Sequence, residues 1–158
     1  MSPVAMQALS DWLLFLHVLA AMVWVGGGVV LAALGARVLR DRDPGAVLRF
    51  TGSLRVLGPL VLAPATLAVL GFGIGLVVES DAWDFGQLWV QLGLGLFAAA
   101  FLIGAGYQSR TALAGARAAD RGDDGEARRH LTRWLWGYRV IVLLLVAAAW
   151  DMTTKPGL

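Results

Sequence analysis

The chain has 158 residues, 58% of them hydrophobic, and a mean hydropathy of +0.70. A soluble globular domain is about half apolar, so this composition excludes an ordinary soluble domain and points to one integral membrane domain over residues 1–158. The net charge is only +2 despite a pI of 9.7, which gives no argument for nucleic acid, and the absence of cysteine excludes disulfides, thiolate metal sites and thiol catalysis.

The first apolar run, residues 12–36, holds one ionisable group, His17, and is long enough to cross a bilayer as a helix. Asp11 precedes it and no Lys or Arg does, the opposite of a secretory leader, so the run is expected to remain as a span. On a helix, His17, Ala21, Trp24, Gly28 and Ala32 share one face. The small residues Gly28, Ala32 and Ala36 on that face let a second helix approach, which points His17 into a bundle.

A basic connection follows, with five arginines from Arg37 to Arg55, and Asp43-Pro44 reads as a helix start with Asp as the cap. The second span, residues 54–78, contains Pro59 and Pro64, each of which removes a backbone donor and predicts a kink or a local opening. Gly71 and Gly75 further along have the spacing of a close helix crossing. The next connection, ESDAWDFGQ, is acidic and aromatic, and Trp83, Phe85 and Trp89 suit the headgroup level. Its shortness predicts that the second and third spans are antiparallel neighbours.

The third span covers residues 88–107 and runs into a long polar segment rich in Ala and Arg, so its helix is expected to extend past the membrane. Gly122 reads as a stop, and Asp123-x-x-Glu126 as a capping box that opens the helix of the fourth span, residues 134–151. The fold class that results is all-α, a transmembrane four-helix bundle. All twelve arginines lie in or beside the first and third connections, whereas the other end offers only Lys155. The positive-inside rule then places both arginine-rich connections in the cytoplasm and both termini outside, across a bacterial inner membrane.

An ionisable residue inside the membrane is a functional candidate by default, and His17 is about 7 Å inside its helix end. A neutral imidazole bonded to a neighbouring helix is the plainer alternative. Trp24 shares its face, while Gln91, Asp151 and Lys155 belong to the same end and complete the candidate ligand set. Asp11, Glu79, Asp81 and Asp84 form either a cation site or, more simply, a solvated rim there. At the basic end, Arg139 inside the fourth apolar run and Arg55 at the start of the second are candidates for lipid phosphate. No phosphate-binding loop, nucleophile elbow or H-E-x-x-H motif occurs, so no catalytic residue is assigned.

Leu16-His17-Val18-Leu19 followed by Trp24-Val25-Gly26-Gly27 resembles the first helix of several groups of small bacterial membrane proteins. These are the CopD-type copper-resistance domains, the four-helix HemJ-type protoporphyrinogen oxidases and a family of predicted integral membrane proteins of unknown function. The last is similar in layout over the whole chain, including the terminal Met152-Thr153-Thr154-Lys155-Pro156-Gly157. The HemJ resemblance implies haem, with His17 as its candidate ligand, and the CopD resemblance implies copper. However, the HemJ type has an arginine and a further histidine closely after its first helix, whereas LAALGARVLRD has no histidine and its Arg37 comes much later, and internally the chain offers little beyond Met22 for copper.

The sequence therefore predicts a non-enzymatic membrane protein that handles an ion or small molecule, or serves as an accessory subunit. A haem-linked oxidoreductase of the HemJ type is the alternative. Expected partners are the bilayer, anionic lipids at the cytoplasmic face, and a second copy or another membrane protein. His17 and His130 belong to opposite ends of the bundle, so they are not expected to share one haem iron.

Overall fold

The computed structural model describes residues 3–41 and 43–157, which leaves Arg42 of the basic connection outside the described residues. Four long helical rods run through the molecule, and among the described residues there is no strand. The first rod is α1 (Pro3–Arg40). The second joins α2 (Pro44–Leu57) to α3 (Ala63–Glu79) through a π-helical turn, Gly58–Leu62. The third joins α4 (Leu88–Leu102) to α5 (Ser109–Asp120) through another, Ile103–Gln108, and the fourth is α6 (Asp124–Thr154). Each rod is long and apolar enough to cross a membrane.

Local chemistry sets the rod ends. Asp43 accepts a hydrogen bond from the Gly45 N–H at 2.9 Å and caps α2 as the sequence predicts. The Arg49 guanidinium and the Gly45 N–H together hold the Asp43 carboxyl below its ordinary pKa. Gly122, at φ +72°, ends α5, and Asp123 accepts from the Glu126 N–H at 2.8 Å. Glu126 does not complete the box: its carboxylate pairs with Arg121 at 2.6 Å.

The predicted opening at the prolines is a π turn. Pro59 offers no N–H, and the wider register lets the Ala63 N–H reach the Gly58 carbonyl five residues back. In the third rod the Ser109 N–H reaches Gly104 the same way, and the Ser109 hydroxyl donates to that carbonyl at 3.1 Å. No proline marks this second turn.

Of the expected face of α1, His17, Trp24 and Gly28 are buried and Ala21, Ala32 and Ala36 half-buried, and Gly35 is buried beside them. Gly28 receives the Tyr138 ring, and Gly35 lies against Phe50 and Leu131. One expectation is corrected. Gly71 faces open space, and the close crossing of α1 with α3 uses Gly73, against His17, and Gly75, against Leu13. The second and third spans meet beside their connection, where Val77 of α3 packs with Trp89 and Val90 of α4, while further along α3 packs on α1 and α4 on α6.

The bundle is therefore closed at one end and splayed at the other. At the arginine-rich end, α2 packs on both α5 and α6, around Val47, Ala118, Ala127 and Leu131. At the end that carries the termini, the helices follow the spatial order α3, α1, α6, α4, with a cleft between α3 and α4. The two π turns lie at the change from one arrangement to the other.

Candidate functional site: a cleft between α3 and α4

The cleft holds a cavity of about 270 Å³. Its back wall is His17 on α1, its sides are α3 and α4, and Trp83, Trp89 and Lys155 stand at its end. Its lining is almost wholly apolar and aromatic. Leu14, Ile74, Phe85 and Met152 line it and are also exposed, so it is an open cleft and not a sealed void.

His17 is held by backbone. Its Nδ1 lies 2.9 Å from the Val69 carbonyl oxygen, which can only accept, so Nδ1 carries the proton. In the neutral ring Nε2 is then the acceptor, and Nδ1–H to carbonyl is the bond that fixes such an orientation. Gly73 makes the arrangement possible, since a Cβ there would come within 3.1 Å of the imidazole Cε1.

The rim is built by the connection between α3 and α4. Trp83 and Trp89 meet edge to face at 5.4 Å, and Trp89 donates its indole N–H to Gln87 at 3.0 Å. The Lys155 ammonium lies 4.1 Å from the Trp83 ring centre and 5.3 Å from that of Trp89. Lys155 ends α6 in the left-handed conformation, at φ 43°, which turns the chain over this rim. Aromatic faces attract cations, so the end of the cleft carries a fixed positive charge.

The residues singled out from sequence divide here. His17 and Lys155 both line the cavity. Trp24 lies behind it, edge to face with Phe97 at 5.7 Å. Gln91 is on the surface, where it donates to the Phe85 carbonyl at 3.2 Å and braces the connection. Asp151 is 2% exposed, with both carboxylate oxygens free of any partner among the described residues, and Gly93 separates it from the cavity. The acidic residues of this end do not converge: Asp11 pairs with Gln7, and Asp84 accepts from Gly86. Among the described residues no three His, Asp or Glu side chains could hold one metal ion. At the opposite end Arg139 lies over the Trp136 ring at 4.3 Å, and Arg55 pairs with Asp120 at 3.6 Å.

Sequence reasoning missed that Gly73, Gly93 and Phe97 shape this site. Gly73 sits between the two glycines whose spacing attracted notice, and its signal was its level opposite His17 on an antiparallel helix.

Within one protomer His17 and His130 do not approach one haem iron. His130 lies beside Gly115 and Glu126 at the arginine-rich end. Gly35, which packs on Leu131, is 18 residues along α1 from His17, or about 27 Å at 1.5 Å per residue.

Residues 11–156 match the model of a family described as predicted integral membrane protein (DUF2269), and the chain belongs to that family. No curated protein matches it. No solved structure matches it either. The resemblance of the first helix to the CopD and HemJ groups has no counterpart in these comparisons.

Proposed function

We propose that this integral membrane protein of the DUF2269 family binds a small, largely apolar molecule bearing one hydrogen-bond donor, taken up through the cleft between α3 and α4. The observation that carries this reading is the His17 imidazole, tied through Nδ1 to the Val69 carbonyl, on the wall of an otherwise apolar cavity. Apolar walls with a few placed polar groups are the common form of a ligand site. With Nδ1–H committed, Nε2 asks its ligand for an N–H or O–H. The volume of about 270 Å³ is just below the usual range of about 300–1,000 Å³, so the occupant is small.

The orientation belongs to the same reading. Arginines crowd the end where α2, α5 and α6 close together, and the cleft is at the other end. The positive-inside rule turns the cleft towards the outer face of a bacterial inner membrane, with both termini outside. The ligand then enters from the outer leaflet, between α3 and α4.

Indole, a compact apolar molecule with one N–H, is a suitable probe. Native mass spectrometry of the detergent-purified protein should detect one bound indole. Leu94→Trp, which places a large ring in the cleft, should abolish binding, and His17→Leu should weaken it. Equal indole retention by all three proteins would refute the assignment.

A further inference from the structure

We infer that the groove between α1 and α6 at the arginine-rich end binds one anionic phospholipid, its phosphate held between Arg40 and Arg139. The groove measures about 200 Å³, with Arg40 at its α1 side and Thr132, Trp136 and Arg139 along α6. Leu39 and Leu135 supply an apolar floor. No carboxylate lines it.

Charge balance at this end narrows the candidates. Arg49, Arg55, Arg121 and Arg128 pair with Asp43, Asp120, Glu126 and Asp124, which neutralise them locally. Arg40 and Arg139 form no ion pair among the described residues, nor do Arg37, Arg110, Arg117, Arg129 and Arg133, and of these seven only Arg40 and Arg139 line the groove. Arg139 is also held in place, with its guanidinium carbon 4.3 Å from the Trp136 ring centre. A stacked guanidinium keeps its N–H edges available, and that planar fork suits phosphate oxygens. Both arginines are exposed, in helices that reach from hydrocarbon to water, so lipid is the anion within reach. A headgroup phosphate between them leaves its acyl chain to follow Leu39 and Leu135. This inference is independent of the cleft and of its ligand.

The test is native mass spectrometry of the detergent-purified full chain with phosphatidylglycerol, with phosphatidylcholine of the same acyl chains, and with phosphatidylglycerol plus inorganic phosphate. One phosphatidylglycerol should be retained in preference to phosphatidylcholine, and inorganic phosphate should not displace it. Affinity should fall roughly fivefold for each guanidinium removed, in R139Q alone and further in R40Q/R139Q. R110Q/R117Q, which removes two exposed arginines of α5, should bind as the unmodified protein does. Equal losses in both double variants would reduce the effect to a diffuse basic surface and overturn the site. Unchanged binding by folded R40Q/R139Q would overturn it as well. Displacement by inorganic phosphate would show an anion site without lipid. Because Arg40 and Arg139 are surface residues, thermal melting should show both proteins folded, and R40Q alone provides the milder variant.

Discussion

Gly28 of α1 and Tyr138 of α6 share one space: a Cβ on Gly28 would overlap the Tyr138 hydroxyl and the ring edge that bears it. The Tyr138 hydroxyl lies 3.4 Å from the Trp24 and Val25 carbonyls, and its ring stacks on Trp134 at 5.5 Å. This contact locks the two central helices together below the cleft. Gly28→Ala should therefore lower thermal stability in detergent by about 1–3 kcal/mol through overpacking. Tyr138→Ala in the same chain should recover part of that loss, since contacting residues couple. A Gly28→Ala protein that melts with the unmodified one would break the account of this crossing.

Gly71 and Gly73 should respond in opposite directions. Gly71 has nothing near its absent Cβ and lies inside α3, where glycine costs about 0.5–1 kcal/mol relative to alanine. Gly71→Ala should be neutral or stabilising by up to that amount. Gly73→Ala presses on the His17 ring and should destabilise by about 1 kcal/mol or more. Paired melting curves separate the two, and a reversed order would place the crossing elsewhere.

Acidification should weaken the start of α2. The Arg49 bond and the Gly45 N–H lower the Asp43 pKa from 3.8. A group with a lowered folded pKa contributes stability above its unfolded value and loses it as the pH falls through the folded one. Asp43→Asn keeps a cap but not the charge. Its stability deficit should be present at neutral pH and vanish below pH 3.8. A deficit that does not change with pH would show that the charge has no part in the cap.

Orientation can be read by labelling, since the chain has no cysteine of its own. Asp81→Cys, in the exposed connection beside the cleft, should react with an impermeant thiol reagent added outside intact cells. Gly125→Cys, at the start of α6, should react only after permeabilisation. The opposite pattern would put the cleft on the cytoplasmic side.

The four-helix plan, the α1 face and the caps at Asp43 and Asp123 were legible because each rests on local chemistry: an apolar length, a helical period or a side chain beside its own backbone. The splay was not. A short connection forces α3 and α4 to be antiparallel, but their packing depends on what α1 and α6 offer, and those surfaces are distant in sequence. Pro59 announced its π turn through a missing donor, whereas the turn at Ile103–Gln108 has only glycines and a serine to mark it. His17 stood out because an imidazole in an apolar run is costly, but its partner is a backbone carbonyl at Val69 that no side-chain pattern identifies. Gln91 and Trp24 belonged to the right end of the molecule and the wrong layer of it.

The most direct test of the cleft follows from the chain's having only two histidines. Protein labelled with 15N-histidine, in detergent, should give one imidazole in the Nδ1–H form, assigned to His17 by its loss in His17→Leu. On titration with indole the Nε2 resonance of His17 should move and saturate, while those of His130 stay in place, and Leu94→Trp should remove the response. A His17 ring protonated at Nε2 and bare at Nδ1, or a His17 signal indifferent to indole at all concentrations, would contradict the proposal.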